Sequence, residues 1–121
     1  MAKLTNRTPS FTDGVLQIYE VFNKAPKGDK PQEELVPKMT LRYAERTVGI
    51  KRFWEAKAHD VNIQRLVRCP RVDDVSTQDV AVGVDGKQYR IAQVQYPAET
   101  PTMDLSLERI DKVYDIRSND N

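Results

Sequence analysis

Cysteine and histidine are almost missing from this chain: Cys69 and His59 are the single examples in 121 residues. A lone cysteine cannot close an internal disulfide, which fits a reducing compartment. One His and one Cys also give no cluster with metal-ligand spacing, so no metal is expected. Glycine is sparse, and Gly14, Gly28, Gly49, Gly83 and Gly86 are scattered. They build no Walker A loop, no Gly-x-Gly-x-x-Gly and no Gly-x-Ser-x-Gly elbow, which leaves nothing to cradle a phosphate. No cofactor is expected, and any enzyme would have to work with carboxylates alone. No apolar run approaches the ~20 residues of a membrane-spanning helix. Charge of one sign is lacking too: 19 Lys and Arg face 18 Asp and Glu. A strongly basic nucleic-acid arm or an acidic tail is therefore not expected. Met1 to Arg7 lack the apolar stretch of a secretory signal, so the expectation is a chain that folds where it is made.

What is present suits one small packed domain, with 39% hydrophobic and 31% charged residues. Residues 1–13 read as a flexible lead-in and 117–121 as a polar tail, with a single domain over 14–116. Val15 to Phe22 is dense in β-branched and aromatic residues and reads as a first strand. Both of its faces are apolar. A small domain buries one of them, and the other is expected to meet another subunit or the N-terminal arm, with Leu16, Ile18 and Phe22 as candidates for a subunit interface. Residues 23–38 alternate Pro26, Gly28, Pro31 and Pro37 with Lys24, Lys27, Lys30, Glu33 and Glu34. Proline removes donors and charge favours water, so this reads as a long exposed loop of the functional kind.

Met39, Leu41 and Tyr43 then alternate as a second strand. From Val48 to about His59 the period turns helical, with Thr47 as cap and with Ile50, Phe53, Trp54 and Ala58 on one side. Phe53 and Trp54, each burying roughly 150–250 Å², are expected to plug an open end of the sheet. Val61 to Arg68 reads as a third strand. Val80 to Val84 and Lys87 to Ile91, joined by Asp85-Gly86, read as a hairpin with a type I′ turn. Tyr89 and Ile91 share one face but Val94 and Tyr96 fall on the other, a phase slip that a bulge near Ala92-Gln93 absorbs. A second slip separates Leu105 and Leu107 from Ile110. The sum predicts a mainly β fold: a small antiparallel barrel with one short amphipathic helix and one long loop, its core built on Phe53, Trp54, Tyr89, Ile91, Leu105 and Leu107.

Candidate sites follow from charge. His59 beside Asp60 has no nucleophile or oxyanion donor near it in sequence and reads as surface. Asp73-Asp74 with Glu33-Glu34 form a carboxylate set that more often marks solvated loops. Arg65, Arg68 and Arg71 lie within seven positions. They can track phosphates or fork onto carboxylates of a neighbouring subunit. A single-strand binder would also interleave aromatics with them.

The run Arg42 to Ala56, with Gly49, Arg52, Glu55 and Ala56 at its helix, then Val82 to Ile91, then Leu105 to Ile110, resembles the head-tail joining proteins of long-tailed bacteriophages. These are also called head-closure or head-completion proteins. The resemblance covers about Val15 to Ile110 in order. It implies a non-catalytic neck protein of the virion, assembled in the host cytoplasm. Such a protein forms a ring of twelve copies below the portal and adaptor, beside packaged double-stranded DNA, and offers a surface to a tail terminator or tail-completion protein. The family's loop that can project into the channel corresponds here to residues 23–38. Alternatives are a tail-completion or other neck ring, and a small barrel binding single-stranded nucleic acid through Arg65, Arg68 and Arg71.

Overall fold

The structure, a computed structural model, describes residues 11–47, 57–58, 63–111 and 113–116. Seven strands run in the order β1 (Gly14–Asn23), β2 (Glu33–Arg46), β3 (Arg65–Pro70), β4 (Asp79–Val82), β5 (Gln88–Gln95), β6 (Thr102–Arg109) and β7 (Asp115–Ile116). Their lateral order is β1-β4-β5-β6-β3-β2-β7, and β1 also pairs with β2. That last pairing closes six antiparallel strands into a barrel, while β7 adds in parallel to β2 at Glu34 and Leu35. Closure removes the open edges that six short strands would otherwise expose. Of the expected helix over 48–59, only Lys57 and Ala58 are among the described residues, and both are exposed. Phe53, Trp54 and His59 lie outside them.

The barrel interior is filled by alternate residues: Leu16 and Ile18, Leu41, Val67 and Cys69, Ala81, Tyr89 and Ile91, and Met103, Leu105 and Leu107. Val75, on the β3–β4 connection, joins the same core with 2% exposure, and Val72 packs against it. A second apolar cluster lies on the outer face. Val80 and Val82 point away from Ala81, as strand alternation requires. They meet Leu35 and are packed by Tyr19, Val21, Ile110 and Tyr114.

Two local features depart from the sequence reading. The segment expected to be loop from 23 to 38 is strand from Glu33 onward. Pro37 is tolerated because the β1–β2 register shifts beside it: Ile18 faces Met39 and Tyr19 faces Pro37, which leaves Lys38 as an extra residue. A bulge is one of the places where a strand accepts proline. The 84–87 turn also differs. Gly86 has φ +83, but Asp85 is not among the residues of positive φ, so the type I′ turn is not formed. Instead Gly86 N–H donates to Gly83 C=O and Gly83 N–H to Lys87 C=O. This pattern belongs to a three-residue loop with glycine at its left-handed position. The β5 phase slip is a bulge at Ala92, between Ile91 facing Leu107 and Gln93 facing Ser106. The slip after Leu107 is the end of β6, since Ile110 lies beyond it.

Candidate functional site

The β1–β2 hairpin projects beyond its ladder with β4, which spans only Gln17 to Glu20. Its tip, residues 24–32, is short and internally tied. Asn23 Oδ1 accepts from the N–H groups of Ala25 (3.1 Å) and Gln32 (3.0 Å), and Lys24 N–H donates to Gln32 C=O. Pro26 C=O accepts from Asp29 N–H, with Gly28 at φ +93 in the third position. That is the conformation a type II turn demands of its third residue, and glycine meets it without strain. Lys24, Lys27 and Lys30 are exposed on this tip and Glu33 is exposed at the start of β2, whereas Glu34 is buried, its carboxylate 3.6 Å from Lys24 Nζ. The tip is thus a preorganised, charged projection.

Leu16 and Ile18 cannot serve as subunit interface. Both are fully buried within their own chain. The two-sided strand has an inner face filled by the barrel core and an outer face covered by the second cluster, so closure and wrapping consume the surface assigned to a neighbour. Phe22, beyond the barrel ladder, remains 47% exposed.

The three arginines do not form one patch. Arg65 shares its face with Val67 and Cys69 at one mouth of the barrel. It forks onto Glu45 (Nη2 to Oε1 2.7 Å, Nε to Oε2 3.3 Å) and donates to Tyr43 Oη at 2.9 Å. Its guanidinium also lies 5.2 and 5.4 Å from the ring centres of Tyr43 and Tyr89. The Glu45 hydrogen bonds hold Arg65 more firmly protonated than a free guanidinium, with burial opposing. Arg68 points outward and forks onto Asp104, its direct partner across the β3–β6 ladder, at 2.7 and 3.0 Å. That pairing raises its pKa as well. Arg71 lies past the strand, 3.4 Å from Asp73 and 4.2 Å from the centre of the Tyr96 ring. Each fork is turned to an acid of its own chain.

Tyr89, Ile91, Leu105 and Leu107 line the barrel interior. Among the described residues no group of three or more His, Cys, Asp or Glu is placed to hold a metal ion. No helix among them is long and apolar enough to cross a membrane.

Two arrangements were not anticipated from the residues. At the β2 bulge, Lys38 Nζ donates to Asp79 Oδ2 (2.9 Å) and to Asp74 C=O (2.6 Å), and Asp79 Oδ2 also accepts from Ser76 N–H (3.0 Å). This ties the β3–β4 connection, with its core residue Val75, over the other mouth. On the outer face, the amide of buried Gln88 acts as a piece of backbone for the C-terminal segment. Its Nε2 donates to Tyr114 C=O at 2.9 Å and its Oε1 accepts from Tyr114 N–H at 2.8 Å. Ile110 N–H donates to Gln88 C=O at 3.0 Å. Beside this segment runs an open groove of about 500 Å³, lined in part by Val21, Glu33, Val80, Arg90, Ile110 and Tyr114. A glutamine gives no sequence signal for such a clamp; the apolar pair Ile110 and Tyr114 after the last long strand was the available hint. No protein-family model matches the chain, and no curated protein sequence matches it.

Proposed function

We propose that this chain is a structural protein of a phage or prophage neck. It forms a ring below the portal and adaptor, closes the DNA-filled head and offers a docking surface to the tail. The observation that carries this reading is the ordered series of motifs from Val15 to Ile110, which resembles head-tail joining proteins. A closed barrel with a preorganised projecting hairpin is compatible with it: a rigid body sets the ring, and the tip at residues 24–32 reaches toward the channel or the next component. Two ring contacts of about 800 Å² each would take roughly a fifth of the 8134 Å² accessible surface. Heterologous contacts of this kind close into rings when the two patches fit. With Leu16 and Ile18 inside the barrel, Phe22 is the residue of that set left for a neighbour.

The single-strand nucleic-acid alternative needs unengaged guanidinium forks, and Arg65, Arg68 and Arg71 are turned to Glu45, Asp104 and Asp73. The reading assigns no bond-making chemistry to the chain. Deleting the gene should yield filled or leaking heads and separate tails; infectious tailed particles from the deletion would refute the role. Shortening residues 24–32 should leave the barrel folded while impairing DNA retention or tail attachment, and normal infectivity would remove the tip from the mechanism.

A further inference from the structure

The β1–β2 ladder ends on the rung of Asn23 and Glu33, and residues 24–32 close the turn between them. Hairpin loops are usually ~2–5 residues long, and a connection of this greater length pays more entropy to hold one shape. Its own groups subdivide it. Lys24 N–H donates to Gln32 C=O at 3.1 Å, one step beyond the ladder, and Asp29 N–H donates to Pro26 C=O at 3.0 Å around Gly28. Asn23 Oδ1 joins the two sides, accepting from Ala25 N–H two positions on and from Gln32 N–H nine positions on. A carbonyl oxygen has two lone pairs, and here one atom ties the outgoing chain to the returning one. An aspartate would present the same acceptor, but it would stand opposite Glu33 and one rung from Glu34. Like charges directly opposite one another weaken a ladder. The amide supplies the oxygen without the charge.

We infer that Asn23 is the positioning residue of the projecting tip: by holding Ala25 and Gln32 together, its amide oxygen sets how residues 24–32 are aimed and thereby how well the tip engages the next component of the neck. The second half rests on the neck reading and adds to it the residue on which that site depends. The link between aim and docking is quantitative. A partner that accepts one tip conformation binds in proportion to the fraction of copies holding it, so apparent affinity falls with that fraction. Preorganisation of this kind strengthens binding without any new contact. A change at Asn23 leaves Lys24, Lys27 and Lys30 in the chain, which separates the aim of the tip from its charge. It also lies beyond the β1–β4 ladder, which stops at Glu20, so the barrel is spared.

Two full-length variants test it. In Asn23→Ala, amide hydrogen exchange at Ala25 and Gln32, corrected for intrinsic rates, should be roughly tenfold faster because both bonds are lost, while exchange in the β5–β6 ladder stays as it was. Asn23→Asp keeps the acceptor. Measured in about 0.5 M salt, which screens its charge from Glu33, it should keep the slow exchange at both amides. The natural chain and each variant are then added to DNA-filled heads made without the gene, together with tails. Asn23→Ala should join fewer heads to tails, by the factor through which the ordered fraction falls, and Asn23→Asp should join as many as the natural chain. Unchanged exchange in Asn23→Ala overturns the inference, as does exchange in Asn23→Asp as fast as in Asn23→Ala. Fast exchange in Asn23→Ala with joining at the natural level overturns the link between aim and docking. If the natural chain itself joins no heads to tails, the neck reading falls and the docking half with it, while the exchange rates still decide whether Asn23 holds the tip.

Discussion

Replacing Lys38 by Met keeps most of the aliphatic stem at the β2 bulge and removes the ammonium. Asp79, whose side chain is 3% exposed, would then keep the Ser76 N–H at 3.0 Å as its donor. Breaking a buried pair from one side costs roughly 3–5 kcal/mol because the remaining charge stays desolvated. The lysine side chain is 22% exposed, so water reaches the gap and the low end applies, about 3 kcal/mol. The reverse change, Asp79→Asn, is milder. An amide oxygen still accepts from Ser76, Lys38 still reaches Asp74 C=O, and its partly exposed ammonium hydrates, for a cost of about 1 kcal/mol. The double variant should be more stable than Lys38→Met alone, because neither charge is then stranded. Urea denaturation of the three variants measures all of this, and the Tm of Lys38→Met should fall by on the order of 10 °C. If Lys38→Met costs no more than Asp79→Asn, the asymmetry of burial is not what governs this pair and the reasoning fails.

Gln88→Leu removes both bonds to Tyr114. It should cost about 1–2 kcal/mol and speed hydrogen exchange at Tyr114 more than in β3 or β6, so exchange unchanged at Tyr114 would contradict the clamp. Burial, with the charge of Asp104 second, pushes the Cys69 thiol up to about 12 from 9.0. The folded state therefore holds its proton more tightly than the unfolded one. The resulting stability is fully present below pH 9.0 and is lost as pH rises toward about 12. Relative to Cys69→Ala, the natural chain should lose about 1.4 kcal/mol per pH unit above the unfolded thiol's pKa, and parallel stability curves from pH 8 to 10.5 would refute this. The native thiol should also resist alkylation at pH 8 and react on unfolding.

Much of the β architecture was legible because it is locally encoded. The Val80 to Ile91 hairpin shows in two apolar runs around Asp85-Gly86, since glycine alone accepts a left-handed φ without cost. The Ala92 bulge shows because a shift in hydrophobic phase has no other outlet in a strand that must keep one face inside. The turn type was not legible: Asp-Gly serves a two-residue or a three-residue loop equally, and the strand register selects between them. The start of β2 was missed for a similar reason. Proline and charge at 31–37 describe a loop until a partner strand offers a bulge beside Pro37, and that partner lies some twenty residues upstream.

The sites divide along the same line. Charge at Lys24, Lys27 and Lys30 is written in the chain, and so is the turn at Pro26 to Asp29, because both depend on neighbours in sequence. Whether Leu16 and Ile18 face a neighbour or a core, which acid Arg65 and Arg68 meet, and what Gln88 holds all depend on pairs 20 to 63 positions apart, whereas Arg71 meets an acid two positions on. The order of strands, one turn and one bulge come from local conformational preference. The closed barrel, its two tied mouths and the C-terminal segment clamped on its outer face come from long-range pairing, where burial decides which of several permitted partners each side chain keeps.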